Sequence, residues 1–180
     1  MASEDFVAPL ESFPTLQPAF VIKVSIAGQF PCGDIYTGSS LVGVPLGWGT
    51  LKSVAGFEPK LDMTLSHGHD WFRIDADKTH ARLSVSCIIS DKENRSIRLE
   101  ANGVSQLTPA ILGLITGSPD AKTPPFGDGI EQMTITSGHE AYKPLEGMMF
   151  ACSQRFAISE TGEPLAEIRV SRILCGTGDV

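Results

Sequence analysis

Arg82-Leu83-Ser84-Val85-Ser86-Cys87-Ile88-Ile89 and Ile97-Arg98-Leu99-Glu100-Ala101-Asn102 are two alternating runs joined by the polar segment 90–96. In an extended chain successive side chains point to opposite faces, so a period of two buries one face and turns the other toward something more polar. Matching the apolar faces sets Leu99 opposite Cys87, Ala101 opposite Val85 and Glu100 opposite Ser86. A slip of one residue would bring Arg98 against Cys87 among apolar groups, so the register is well specified. The pair reads as an antiparallel hairpin.

Working outward, short strand candidates lie at 20–26, 40–44, 71–74, 130–136, 148–158 and 165–173, separated by turn residues. The last two are joined by Ser159-Glu160-Thr161-Gly162-Glu163-Pro164, a short loop in which Gly162 can take a positive φ. One stretch reads as helix: Thr108 caps it, Pro109 suits the first helical position, and Gly117 ends it. Being about two turns long, it suits a cover over one end of a β-structure. The segment 118–129 is the longest irregular one. Residues 1–18 carry Pro9, Pro14 and Pro18 between Phe6, Leu10, Phe13 and Leu16, and read as an extended arm packing on the body. Residues 19–180 then form one domain. The expected fold class is all-β, mainly antiparallel, and a closed barrel is favoured.

The chain has 180 residues, 14 Lys+Arg against 21 Asp+Glu, and a formal net charge of −7. One domain with a single core fits that length. The acidic balance, without a basic cluster, argues against nucleic acid, because phosphate contacts need concentrated positive charge. No apolar run approaches the ~20 residues that span a bilayer. The first ten residues lack the basic and apolar regions of a signal peptide. Cys32, Cys87, Cys152 and Cys175 are widely spaced and read as free thiols in a reducing compartment, so a cytoplasmic location is expected.

Nucleotide-binding glycine loops, the nucleophile elbow and the zinc-protease helix motif are all absent. Ser66-His67-Gly68-His69-Asp70-Trp71-Phe72-Arg73 is the richest polar cluster. His67 and His69 share a strand side, as metal ligands of cupins do, but the carboxylate such a site wants does not follow at the right spacing. His139 is a distant third candidate. No metal or cofactor is expected. Asp70 and Trp71 read either as a turn cap beside a core filler, or with His69 and Arg73 as the wall and handles of a pocket. Arg98 and Glu100 share one face beside Arg82. In solvent they form a ladder of little stabilising value. Turned into a barrel, they form an ionic pair with shifted pKa values. Tyr142, with His139 and Glu146, precedes the apolar run Met148-Met149-Phe150 and reads as a pocket rim or a surface loop.

Gly68-His69-Asp70-Trp71, the alternating strand 97–103 and the aromatic approach from Tyr142 to Phe156 together resemble the DUF3237 family. The likeness runs from about residue 19 to 173, most of the chain. Pro144-Leu145-Glu146 departs from the family's Trp-Leu-Asn, and the segment 105–128 is longer than usual, which suggests an added lid. The resemblance implies a closed barrel similar to that of allene oxide cyclase, with a central cavity. It also implies, from fungal relatives, a role in natural-product pathways.

The expected function is a cofactor-independent cyclase or isomerase for an apolar polyketide- or terpenoid-like intermediate, including a pericyclase of the hetero-Diels–Alder kind. Confinement would lower the entropic part of the barrier, and a hydrogen bond would polarise a carbonyl. Trp48, Trp71 and Phe150 are the expected walls. His69, Arg73, Arg98 and Tyr142 are the expected donors, oriented by Asp70 or Glu100. The alternatives are a non-catalytic small-molecule carrier, a cupin-like metal enzyme through His67 and His69, and an interaction protein with a filled barrel. A homodimer formed through an outer apolar face is the expected assembly.

Overall fold

The computed structural model describes residues 11–176. Nine strands follow in order: β1 (Thr15–Ile26), β2 (Phe30–Asp34), β3 (Ser40–Ser53), β4 (Asp62–Ile74), β5 (His80–Ser90), β6 (Ser96–Gln106), β7 (Gly129–Thr136), β8 (Phe150–Ile158) and β9 (Pro164–Leu174). One helix, α1 (Pro109–Ile115), lies between β6 and β7. The strands pair antiparallel in the order β1-β9-β8-β7-β6-β5-β4-β3, and β3 returns to β1, so eight strands close into a barrel. The short β2 adds to the first half of β3, outside the ring. Closure leaves the ring without an unpaired edge.

The β5–β6 register is the one the apolar faces dictate, with Val85 opposite Ala101, Ser86 opposite Glu100 and Cys87 opposite Leu99. Strands β3 and β4 run longer than their sequence signals. In β3 the alternation is broken by Gly43, Pro45, Gly47 and Gly49, and in β4 a bulge at residues 65–67 shifts the pairing with β5. The arm expected at 1–18 is also revised. Thr15 to Pro18 already pair with Leu174 to Ser171, so the barrel begins at Thr15. Phe13 and Leu16 are exposed, not packed on the body, while Phe6 and Leu10 lie outside the described residues.

Two ends differ. At the floor, Phe20, Phe57 and Phe150 interlock with ring centroids 5.2 to 6.3 Å apart. Leu51, Leu61, Met63, Ile97 and Leu145 pack around them, all essentially inaccessible. Each such side chain contributes about 1.5–3 kcal/mol by leaving water. At the opposite end sits α1. The Thr108 hydroxyl accepts the Ile111 N–H at 3.4 Å, and Pro109 occupies the first turn as expected. Ile111 is buried against Phe72, Leu83 and Phe156. The Gln29 amide donates to the Ile115 carbonyl at 3.0 Å, tying the β1–β2 connection to the helix end. The loop after the helix straps the outer wall, where Phe126 lies under the Arg155 and Arg169 guanidinium groups. Among the described residues no helix is long and apolar enough to cross a membrane.

Candidate functional site

Between the aromatic floor and the helix the barrel is not filled. A cavity of about 110 Å³ remains, walled by Val24, Leu83, Val85, Leu99, Met133 and Ile168 among others. Three buried polar side chains face it: Asp70, Glu131 and Gln154, each no more than 6 % exposed. Among the described residues no Lys, Arg or His lines it. The arrangement follows from strand parity. Asp70 shares its face of β4 with Gly68 and Phe72, Glu131 shares its face of β7 with Met133 and Ile135, and Gln154 lies between Cys152 and Phe156 on β8. Each is a polar residue standing at an apolar position.

The three are held differently. The β4–β5 pairing skips Trp71 and Phe72, and in that gap the Ser84 N–H donates to Asp70 Oδ1 at 2.8 Å. Glu131 and Gln154 have no side-chain hydrogen bond among the described residues. No fully shielded side-chain N or O atom there lacks a partner, so both must present polar atoms to the cavity. Gly103 stands opposite Glu131 on β6. A Cβ on Gly103 would collide with Glu131 Cγ and sit 2.6 Å from the Ile130 carbonyl oxygen, so only glycine leaves room for this carboxyl.

Burial controls the electrostatics. It pushes Asp70 up to about 6, against the opposing Ser84 N–H bond. Glu131 rises to about 7, through burial first and the Asp70 charge second, with no backbone donor to counter them. Taking a carboxylate out of water favours its neutral form, and a second carboxylate nearby adds to the effect. Near neutral pH the pair is therefore partly protonated, Glu131 more than Asp70. Cys87 is pushed up to about 12 by burial and then by the two carboxylates, and Cys152 rises as well. Both thiols stay protonated, which removes them as nucleophiles.

Of the residues expected to form the pocket, Asp70 alone lines this cavity. His69, Trp71 and Arg73 lie on the outer face of β4, where Trp71 is 48 % exposed and lines, with Arg73, Arg82 and Asn102, a second, open pocket of about 440 Å³ on the outside of the barrel. Arg98 and Glu100 pair with each other on the outside of β6. Trp48 is exposed and donates from Nε1 to Glu163 Oε2 at 3.0 Å. Tyr142 is buried but belongs to the floor, where its hydroxyl donates to Asp91 Oδ2 at 2.5 Å. Phe150 is part of the aromatic floor. The reason is common to the outer residues: a closed barrel turns its apolar set inward, and the polar partners of that alternation must face out. Glu131 and Gln154 were not anticipated, although their signal was parity with Met133 and Cys152. His67 and His69 also face outward, and no group of three or more potential metal ligands occurs among the described residues.

Known proteins agree on the architecture. A crystal structure of a conserved protein of unknown function from Rhodopseudomonas palustris superposes with TM-score 0.72 at 17 % identity, covering 90 % of this chain and 99 % of that one. A β-barrel-like protein from Acinetobacter baumannii gives 0.67 at 14 % identity, covering 95 % and 100 %. An enzyme from Penicillium herquei gives 0.54 at 12 % identity, covering 92 % and 98 %. At these identities the likeness is one of fold. No curated protein matches the sequence. The family model described as protein of unknown function (DUF3237) matches residues 14–173, nearly the whole barrel, and the chain belongs to that family.

Proposed function

We propose that the barrel is a cofactor-independent isomerase or cyclase for a small, largely apolar substrate, working by confinement and carboxyl proton transfer. The observation that carries this reading is the Asp70–Glu131 pair, two carboxyls in one apolar cavity with their ionisation moved close to neutral pH. A base and an acid are both present at the same pH only when pKa values are tuned this way. Asp70 ionises first and takes a proton from an activated carbon. Glu131 holds a proton that it gives to the oxygen developing charge, forming an enol. As the proton on Asp70 then passes to a different carbon, the enol O–H proton returns to Glu131, and both carboxyls end as they began. The net change is a shifted double bond, or an enol set up for ring closure. That the barrel of a Penicillium herquei enzyme has this fold is consistent with chemistry here. A polyketide- or terpenoid-like intermediate of natural-product biosynthesis is the proposed natural substrate.

A pericyclic closure of the hetero-Diels–Alder kind is the variant in which the pair donates a hydrogen bond and transfers no proton. The test uses cyclohex-3-en-1-one in D2O, followed by NMR. Wild-type protein is expected to form the conjugated ketone with deuterium incorporated, and Asp70→Asn or Glu131→Gln to lower the rate by about 10²–10⁴-fold. Saturable binding with no conversion would leave a carrier. A pericyclic activity that survives Glu131→Gln, which keeps an N–H donor, would identify the variant.

A further inference from the structure

We propose that Gln154, together with Glu131, forms a receptor for one uncharged carbonyl oxygen, so that the ligand of this barrel is a neutral ketone or aldehyde on a compact apolar body. The inference rests on the cavity reading above and adds the class of substrate to it.

Gln154 is 3 % exposed, lines the cavity and has no side-chain partner among the described residues. An amide set among apolar groups must find its partner in the cavity itself, so a ligand that fills the cavity and displaces water has to satisfy it. Its strand neighbours cannot supply one: Gly129 lies opposite on β7 and Ile168 opposite on β9. Glu131 pairs with Cys152, two residues before Gln154 on the same inner face of β8. This is the diagonal relation across neighbouring strands, in which the residues lie about 7–8 Å apart, their Cβ atoms somewhat closer, within reach of long side chains.

The three buried polar side chains thus fall into two stations around the ring, with Thr50 on β3 and the exposed Gln29 also bordering the cavity. Asp70 stands alone on β4, with Oδ1 turned onto the Ser84 N–H, while Glu131 and Gln154 stand together on β7 and β8. Strands β5 and β6 separate the stations. An amide N–H and a carboxylic O–H converging on one side make a receptor for a carbonyl oxygen, the arrangement that also stabilises an oxyanion. A carbon a few bonds away then faces Asp70. An anion finds two carboxyls and no cationic residue. An ammonium would find acceptors in Asp70 and Glu131 but would leave the Gln154 amide N–H groups without a partner. A volume of about 110 Å³ suits a core near one six-membered ring.

The test is an NMR binding titration at pH 7 with three probes: cyclohexanone, methylenecyclohexane of the same shape without the oxygen, and cyclohexylammonium. Cyclohexanone is expected to bind wild-type protein about five- to tenfold more tightly than methylenecyclohexane, the scale of one or two neutral hydrogen bonds. Gln154→Met should remove that preference and leave methylenecyclohexane unchanged. Equal affinities in the wild type, a parallel loss of both probes in the variant, or tighter binding of cyclohexylammonium would each overturn the proposal. Should Gln154→Met fail to fold, the wild-type preference alone decides. These readouts involve no turnover, so a dependence on Gln154 without deuterium exchange would sink the catalytic reading and keep this one.

Discussion

At the floor of the barrel, Phe20, Phe57 and Phe150 fill the inner space with interlocked rings, and Tyr142 satisfies Asp91 beneath them. Toward α1 the same strands present smaller side chains and three buried polar groups around an open volume. Phe20 and Phe150 come from the inward phase of the strands that also wall the cavity. Phe57 comes from the β3–β4 connection and Tyr142 and Leu145 from the β7–β8 connection, so the difference is also that the floor is plugged by chain from outside the strands. What it teaches is a division of labour. The floor supplies stability that offsets the buried carboxyls and open volume of the cavity end.

The comparison breaks most sharply under truncation. Phe150→Ala should cost about 3–5 kcal/mol in urea unfolding, because a sealed floor cannot collapse around the missing ring. Ile168→Ala, on the cavity wall, should cost about 2 kcal/mol, since that side chain already lacks partners on one side. Equal losses would show that the two ends are packed alike.

Next in size, and opposite in sign, is Glu131→Gln. Its carboxyl rises from 4.5 in the unfolded chain to about 7 in the folded one. Stability from the neutral acid is then complete below pH 4.5 and is lost as pH rises through 7. The substitution should therefore stabilise the protein at pH 8 by on the order of 2–3 kcal/mol, give no gain at pH 4, and flatten the slope between. A slope unchanged by the substitution would refute the burial argument.

Gly103→Ala sharpens the same point from the neighbouring strand. The added methyl must displace Glu131 or the Ile130 carbonyl, at about 1–3 kcal/mol, and should move the Glu131 titration seen by carboxyl NMR. The smallest effect belongs to the outer wall. Arg98→Met, on an exposed ion pair, should change stability by no more than about 0.5 kcal/mol. It should also leave cyclohexanone affinity unaltered, and a loss of binding there would mean the barrel wall has been assigned inside out.

Much of the fold was legible because period-two alternation is a local signal. Residues 82–102 fixed their own register, and Thr108-Pro109 announced the helix. Closure was not local: that β1 pairs with both β3 and β9 depends on residues far apart in sequence. The site was misread for a related reason. His69, Trp71 and Arg73 looked like pocket chemistry by type, whereas the informative property was phase. Asp70, Glu131 and Gln154 occupy the inward phase of β4, β7 and β8, and a polar residue in that phase is what marks an interior site.

Both tryptophans of the chain, Trp48 and Trp71, sit about half exposed on the outer surface. Their indoles already emit from a partly aqueous setting in the native state. Filling the interior touches neither ring, so occupancy of this barrel is silent to intrinsic fluorescence and must be followed by resonances of Met133 or Val85 on the inner wall.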